Sequence, residues 1–208
     1  MEIEIRKATP EDCNFIAETI ISSESTGHEV ITFSKMYGLE PDDLIPIFAK
    51  IVNNDIHGHT LSWTSYLIAH QGKKRCGSLA AFIEGENGDS NIIMTNALMK
   101  VLDRDLVLQG FKFAHTHSET IIPKTKGALQ IDCGATYPEF RGKGIFSMLS
   151  EYAENLYKDA KLSEIQVWQG NGAIKLYNRL GYYVYKTHPS KAYPNKGKIL
   201  TQKDISNL

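Results

Sequence analysis

A long apolar run and a surplus of either charge are both missing from this sequence. No apolar stretch approaches the length of a membrane span, and Met1 is followed by alternating acidic and apolar residues instead of a basic and then apolar leader. The 23 basic and 24 acidic residues leave a net charge of −1, so overall charge does not draw the chain to nucleic acid or to anionic membranes. We therefore expect a cytoplasmic protein with no nucleic-acid partner and no membrane partner.

Cysteine is scarce too, and its spacing excludes the common uses of that residue. The three cysteines cannot all pair and include no Cys-x-x-Cys motif, so they predict small buried thiols in a reducing compartment. They are Cys13, Cys76 and Cys133. The pairs His57/His59 and His115/His117 lack the accompanying cysteine, histidine or carboxylate ligands of a zinc site, so we predict surface or hairpin histidines and no metal.

Size and composition fit a single folded unit. At 208 residues the chain is long enough for a substantial core but short for two domains. Hydrophobic residues make up 42% and charged residues 23%, which are ordinary values for a globular protein. We predict one domain over residues 1–208.

The most informative stretch joins a predicted strand to a predicted helix. Residues 128–135 form an apolar-rich run typical of a strand, and after Gly144 apolar residues recur with the period of one helix face. Between them, Arg141-Gly-Lys-Gly places two glycines and two cations where the helix begins. A helix start presents unpaired N–H groups and about half a positive charge, and glycine lets a bulky anion approach them. The turn therefore predicts a site for a phosphate-bearing ligand.

Two familiar phosphate motifs do not fit this turn. A P-loop needs the spacing Gly-x-x-x-x-Gly-Lys-Ser/Thr, which the chain lacks. A dinucleotide fingerprint needs a third glycine at the position of Ser147. Taken alone, the tetrapeptide favours a glycine-containing turn with solvated charges over a ligand site.

Two blocks together favour the ligand site. Pro138-Glu-Phe-Arg-Gly-Lys-Gly-Ile145 resembles the acetyl-CoA signature of the GNAT N-acetyltransferase superfamily, which is Gln or Arg, two residues, Gly, one residue, then Gly or Ala. Leu176-Tyr-Asn-Arg-Leu-Gly-Tyr182 is similar to a second family block, Leu-Tyr, three residues, Gly and an aromatic residue. The resemblance covers most of residues 1–83 and 127–188. It implies a mixed α/β fold, in which a mostly antiparallel sheet is flanked by helices and its fourth and fifth strands are splayed.

The resemblance also implies where acetyl-CoA, the cosubstrate, would bind. Its pyrophosphate would lie on the turn and the first residues of the helix, which are Arg141, Gly142, Lys143, Gly144, Ile145 and Phe146. Unpaired N–H groups at the end of the fourth strand would polarise the thioester carbonyl, and these belong to Ala135, Thr136 and Tyr137. Phe146 stands where the family usually has Gly or Ala, which predicts altered packing beside the pyrophosphate. Gly170 holds the place of the family's CoA-contacting Asn, so Asn171, one residue later, is the candidate.

Two side chains are candidates for proton chemistry. Tyr177 matches the family tyrosine that donates a proton or a hydrogen bond to the leaving thiolate. The alternative for Tyr177 is a core aromatic on a helix face, and the matching Gly-Tyr pair after it favours the catalytic role. Some relatives use a Glu near the place of Gln130 as the base, and an amide cannot serve. Asp132, on the same strand face, is the candidate here, and a solvated or salt-bridged carboxylate is an equally good interpretation.

The segments expected to form the acceptor pocket carry no motif. Residues 22–37 are polar and predict a loop, where Glu24 and Glu29 could attract a cationic amine, although simple solvation is the favoured interpretation. Residues 85–126 would be an insertion relative to the family, consisting of one helix and then an irregular run. The insertion could cap the substrate, form a homodimer contact or decorate the surface. We also expect Pro46 to kink the helix that begins near residue 41, or to mark a later start.

The sequence thus predicts an N-acyltransferase that moves an acetyl group from acetyl-CoA to a primary amine. A CoA-binding module without catalysis is the alternative, favoured by Phe146, Gln130 and the displaced Asn171 and opposed by the retained Tyr177. An unrelated nucleotide-binding enzyme is a third interpretation. Polyamine, aminoglycoside, amino acid and protein N-terminus all stay open as acceptors.

Overall fold

One mixed sheet carries all the strands that the structure describes. In the computed structural model, which describes residues 2–25, 32–190 and 197–206, seven strands form this sheet. They are β1 (Glu4–Lys7), β2 (Tyr66–Gln71), β3 (Lys74–Ile83), β4 (Leu129–Thr136), β5 (Leu162–Trp168), β6 (Tyr183–His188) and β7 (Lys198–Asp204). Their order is β1-β2-β3-β4-β5-β7-β6, and every neighbouring pair is antiparallel except β4 and β5. The predicted mixed, mostly antiparallel sheet is confirmed.

Helices cover both faces of the sheet. They are α1 (Cys13–Ser25), α2 (Thr32–Tyr37), α3 (Pro41–Val52), α4 (Ser90–Val101), α5 (Arg104–Thr116), α6 (Ile145–Leu156) and α7 (Ala173–Arg179). The core under α1 and α3 includes Tyr66 and Ile68, whereas the core under α6 includes Leu67 and Ala69. Alternate residues of β2 therefore serve two cores, as the period of two along a strand requires. Within the described ranges, no helix combines the length and apolarity needed to cross a membrane.

Local sequence signals such as glycine and proline predict most of the helix and strand boundaries correctly. The turn between β2 and β3 contains Gly72 with φ +59°, and the last two strands, β6 and β7, pair antiparallel. Pro46 lies inside α3, which begins at Pro41, so the predicted later start is wrong. A proline there removes one intrahelical hydrogen bond, and burial of side chains such as Leu44 and Phe48 offsets that loss.

The segment of residues 22–37 is more helical than its polar composition predicts. α1 continues through Glu24 and α2 follows, so the prediction of a loop is wrong for the described residues of this segment, 22–25 and 32–37. Tertiary packing explains the difference, because the Phe33 ring contacts Phe48 of α3 with centroids 4.6 Å apart. The other acidic residue of the prediction, Glu29, lies outside the described residues.

Residues 85–126 hold two α-helices, so the predicted single helix followed by an irregular run is wrong. Asp89 caps α4 by accepting from the Ile92 amide, and Asp103 caps α5 by accepting from the Leu106 amide at 2.9 Å. The second helix lacks a clear sequence signal because none of its residues is buried.

The two helices of this segment pack on the rest of the molecule. α4 lies against α3 and α5 lies against α2, where Gly110 approaches Tyr37. Their outward faces still carry exposed apolar side chains, namely Ile92, Met99, Leu108 and Phe111. A homodimer contact at this surface stays a prediction, as does the single-domain organisation of the chain.

A gap opens between β4 and β5, as predicted. The two strands pair only at Leu129↔Ser163, Gln130↔Glu164 and Ile131↔Ile165, although both continue beyond these residues. In β4, Cys133 and Gly134 form a bulge opposite β3, and Cys133 has φ +44°, a strained value for a non-glycine residue. A bulge bends its strand, and this one follows directly after the last pair between β4 and β5.

A buried carboxylate closes the lower end of this gap. Glu164 of β5 accepts hydrogen bonds from Gln130 of β4 at 2.8 Å, from Gln202 of β7 at 2.8 Å and from the Thr125 hydroxyl at 2.5 Å. These donors satisfy the oxygens of a fully buried carboxyl group, which would otherwise be costly to bury. Gln130 therefore joins β4 to β5 and has a structural role.

Candidate active site

The turn after β4 forms an open, positively charged cradle. Gly142 and Gly144 have φ +77° and +75°, values that favour glycine, and a Cβ added to either would meet no atom within 4 Å. Arg141 donates through Nε to the Thr136 carbonyl at 3.3 Å, and the Lys143 ammonium lies 4.7 Å from the centre of the Phe140 ring. Both glycines thus face open space in a turn that also carries two cations.

The first turn of α6 adds backbone donors to this cradle. The first intrahelical bond runs from the Met148 amide to the Gly144 carbonyl at 3.0 Å. The amides of Ile145, Phe146 and Ser147 precede that bond, and none of them has a backbone acceptor among residues 2–25, 32–190 and 197–206. These amides and the positive end of the helix dipole fit an anionic group such as a diphosphate.

The gap between β4 and β5 is a cleft that passes from the α1 face of the sheet to the α7 face. Side chains from five elements meet there. The cleft is lined by Ser23, Glu24, Ile131, Asp132, Cys133, Gly134, Phe146, Ile165, Gln166, Val167, Trp168, Asn171 and Tyr177. The structure therefore brings together both predicted catalytic residues, Tyr177 and Asp132, beside Asn171 and the first turn of α6.

A C-terminal capping motif holds Tyr177 in this cleft. The Tyr182 amide donates to the Tyr177 carbonyl at 3.0 Å, and the Gly181 amide donates to the Asn178 carbonyl at 3.1 Å. Gly181 has φ +90°, so this is a Schellman motif at the end of α7. Tyr182 is itself fixed, because its hydroxyl donates to Glu154 at 2.9 Å. The second sequence block is thus a device that anchors the helix carrying Tyr177.

The Tyr177 phenol is protonated at neutral pH. Burial, with a smaller contribution from the Asp132 charge, raises the pKa of Tyr177 to about 12. Its ring lies 5.5 Å from the Phe146 ring and 6.5 Å from the Tyr182 ring, measured between centroids. A protonated phenol held in this way is a hydrogen-bond donor directed at the cleft.

Two carboxylates line the cleft, Asp132 from β4 and Glu24 from α1. Asp132 accepts from the Thr60 hydroxyl at 2.9 Å and from the Cys133 amide at 2.9 Å. Burial raises the pKa of Glu24 on α1, with a further increase from the Asp132 charge, while Thr32 and Lys198 oppose the rise. The sequence alone favours solvation for Glu24. Only packing shows that α1 directs this residue towards β4.

The Cys133 thiol also lines the cleft but is a poor nucleophile. Burial raises the pKa of Cys133 well above its usual range, and the charges of Asp132 and Glu24 raise it further. The thiolate is the reactive form of cysteine, and this environment disfavours it.

The end of β4 offers one amide to the gap, where three were predicted. The Tyr137 amide donates to the Cys76 carbonyl at 2.9 Å, so the prediction that it is unpaired is wrong. N–H groups alternate in direction along a strand, so the Ala135 amide also faces β3, where Ala135 pairs with Ser78. The Thr136 amide points the other way, into the gap. The Tyr137 phenol is used elsewhere, as it donates to Glu18.

The Phe146 ring lies in the gap and leaves the cradle open. A Cβ added to Gly134 would lie 2.5 Å from Cε2 of Phe146, so the ring packs directly on β4. Asn171 lies just before α7, where its Oδ1 accepts from the Ala173 amide at 2.9 Å, and it lines the cleft, while its contact with CoA stays a prediction. Within the described ranges, no group of three or more histidine, cysteine or acidic side chains is arranged to hold a metal ion.

Comparison with known proteins shows similarity at the level of structure. No protein-family model matches the chain, and no curated protein sequence matches it. An N-acetyltransferase from Staphylococcus aureus Mu50 superposes with a TM-score of 0.70 at 17% identity, covering 96% of this chain and 99% of that one. The PaiA N-acetyltransferase from Thermoplasma acidophilum, solved with coenzyme A, has a TM-score of 0.53 at 16% identity, with coverages of 98% and 99%.

A third similar structure is yncA from Salmonella typhimurium, solved with acetyl-CoA. Its TM-score is 0.53 at 13% identity, and the superposition covers 100% of this chain and 96% of that one. At these identities the similarity concerns the fold. The chain has the GNAT fold that its two sequence blocks predict.

Proposed function

We propose that this protein is an N-acetyltransferase that transfers an acetyl group from acetyl-CoA to a primary amine. One observation carries the proposal. The anion cradle at the start of α6 opens beside the cleft that contains Tyr177 and Asp132. A diphosphate bound on the cradle would direct its pantetheine arm into the gap between β4 and β5. Solved structures of this fold with coenzyme A and acetyl-CoA support a cosubstrate of this type.

The residues of the cleft suit each step of a direct transfer. The acceptor ammonium gives one proton to Asp132, and the neutral nitrogen then forms a bond to the thioester carbon. The carbonyl oxygen takes the negative charge, and the Thr136 amide, which faces the gap, is the donor best directed to it. The C–S bond breaks as the oxygen returns its electrons, CoA leaves as the thiolate, and the nitrogen loses its second proton to water.

Tyr177 would act on the leaving sulfur. Its pKa of about 12 lies above the value of about 8.5 for an ordinary thiol, so hydrogen-bond donation to the thiolate is favoured over full proton transfer. A thioester is already activated, so positioning of the two reactants supplies most of the remaining rate acceleration.

Direct attack is favoured over a route through an acetylated cysteine. Cys133 is the cysteine that lines the cleft, and its raised pKa keeps it in the thiol form. A kinetic pattern in which both substrates bind before either product leaves would support direct attack.

The cleft also favours a cationic acceptor. Glu24 and Asp132 face it from α1 and β4, and the opposite charge of an ammonium would offset the repulsion between them. The acceptor is then an amine that carries positive charge when it binds.

Thiol release tests the function. Purified protein is mixed with acetyl-CoA and a panel of amines, including polyamines, aminoglycosides, amino acids and peptides, and free CoA thiol is measured. Amine-dependent release supports the enzyme. Binding of CoA without release for any amine would instead support a non-catalytic CoA-binding module, which the Phe146 ring in the gap favours. Competition by ATP but not by CoA would contradict both.

A further inference from the structure

The Phe146 ring fills space on β4 that another side chain would use. Gly134 lies in the bulge, and a Cβ there would stand 2.5 Å from Cε2 and 3.0 Å from Cδ2 of Phe146. Gly134 does not have a positive φ, so the backbone conformation does not demand glycine at this position. The close approach of the ring is the physical reason that a side chain does not fit. Phe146 and Gly134 are therefore a complementary large–small pair.

This pair lies where a thioester would be held. Gly134 follows Ile131, the last β4 residue that pairs with β5, so the ring stands at the opening of the gap. The Phe146 amide belongs to the cradle, and the Phe146 ring is 5.5 Å from Tyr177. A ligand that rests on the cradle and reaches Tyr177 must pass along this ring.

The two ends of the cleft differ in polarity. On the α1 side, Glu24 and Asp132 disfavour an apolar chain, since burying one there would desolvate their charges. On the α7 side the walls carry no carboxylate and include apolar groups, namely the Val167 side chain and the Tyr177 ring, beside the polar Asn171, and the Phe146 ring packs between Tyr177 and Gly134 of β4. An acyl chain longer than acetyl thus meets carboxylates at one end and a filled volume at the other.

We propose that Phe146 is a specificity-determining residue that restricts the donor to short acyl groups by filling the apolar end of the cleft against Gly134. The proposal rests on the proposed function. Removing the ring would open an apolar space bounded by Gly134, Leu79 and Tyr177, suited to additional methylene groups. One methylene in an apolar pocket typically changes discrimination by about 10–200-fold.

Binding measurements test this without knowledge of the acceptor. Dissociation constants of CoA, acetyl-CoA and butyryl-CoA are measured by calorimetry for the wild type, Phe146→Ala, Phe146→Leu and the double variant Phe146→Ala with Gly134→Ala. We expect Phe146→Ala to shift the butyryl-to-acetyl affinity ratio by about tenfold or more towards butyryl. Phe146→Leu, which retains bulk, keeps the wild-type ratio. The double variant gives an intermediate ratio, because its methyl group refills the space from the opposite wall.

The outcomes separate this inference from the proposed function. If the wild type binds CoA and acetyl-CoA but Phe146→Ala leaves the ratio unchanged, or weakens all three ligands equally, Phe146 does not select the acyl group. If the wild type does not bind CoA at all, the proposed function fails as well. Phe146→Val replaces Phe146→Ala should the latter not fold, as judged by circular dichroism.

Thermal unfolding checks the contact independently of any ligand. Gly134→Ala in the wild-type background should lower the melting temperature, because its methyl group collides with the ring. The same change in the Phe146→Ala background should be neutral or stabilising. Equal effects in the two backgrounds would mean that the two residues are uncoupled and would overturn the proposal.

Discussion

The Tyr177 phenol lies at the meeting point of α7, α6 and β4, and its protonation state can be tested directly. We expect Tyr177→Phe to lower kcat by about 10²–10³-fold, the usual cost of removing one transition-state donor, with little change in the KM for acetyl-CoA. Since the pKa of Tyr177 is about 12, wild-type activity should show no loss from its ionisation between neutral pH and about 10. Steady-state thiol release measures both.

Tyr185→Phe is the matched control for that experiment. Tyr185 lies on β6 with 60% of its surface exposed, so losing its hydroxyl should change neither constant. Turnover of Tyr177→Phe equal to that of wild type would contradict the role of the phenol.

A substitution at a second residue, Glu24, tests whether the acceptor is positively charged. Glu24→Gln keeps the shape of the side chain, so we expect an approximately tenfold rise in KM for cationic amines, equivalent to about 1.4 kcal/mol, and no change for acetyl-CoA. Because burial raises the pKa of Glu24, the wild-type advantage should be full above that pKa and should disappear as the pH falls through it. Equal KM values for wild type and variant across the pH range would exclude this role.

At the scale of elements, a buried carboxylate with two arginine partners joins β1, the start of α1 and β3. Asp12 is fully buried and accepts from Arg6 at 2.7 Å, from the Thr9 amide at 2.8 Å and from Arg75 at 2.6 Å. Burial alone would raise the pKa of Asp12, but these three donors lower it well below its usual range. The carboxylate thus holds the start of α1 against two strands.

The expected result is a pH-dependent contribution to stability. The pKa of Asp12 is lower in the folded protein than its unfolded value of about 3.9, so the ionised carboxylate stabilises the fold above that pH. This contribution to the free energy of unfolding is lost as the pH falls below about 3.9. Asp12→Asn should therefore lower the free energy of unfolding by about 2 kcal/mol at pH 7 and weaken its decrease in acid. Urea unfolding between pH 7 and pH 3 measures this. Parallel wild-type and variant curves would show that Asp12 does not titrate on unfolding.

On the scale of the whole molecule, ligand binding should stabilise a defined part of the fold. CoA at about 100 times its dissociation constant should add about 2.7 kcal/mol to the free energy of unfolding. Hydrogen exchange should slow in residues 132–136 and 141–148, which form the gap and the cradle, and should be unchanged in α4 and α5. ATP is the control ligand. Protection by ATP alone, or protection confined to α4 and α5, would contradict the assigned site.

The fold was largely predictable because its signals are local. Glycines with positive φ, such as Gly72, Gly144 and Gly181, mark turns and helix ends, and strand alternation marks the sheet. α2 and α5 were missed because their stability comes from neighbouring elements; α2, for example, packs Phe33 on Phe48.

The site was predictable where sequence motifs fix the backbone and unpredictable where packing decides. The cradle follows from Arg141 to Gly144, and Tyr177 follows from its block. The direction of Glu24 depends on how α1 crosses β4, which no local pattern specifies. Likewise, the use of the Tyr137 amide by Cys76 depends on the register between β3 and β4.

Glu164 gives this architecture a mechanical consequence. Its hydrogen bonds to Gln130 and Gln202 fasten three strands together just beneath the point where β4 and β5 part. These hydrogen bonds hold the strands together at this level, so the gap above it does not widen by further separation of β4 and β5. A ligand of a different size then fits only if the side chains that line the gap become smaller or larger, because the backbone around them stays fixed.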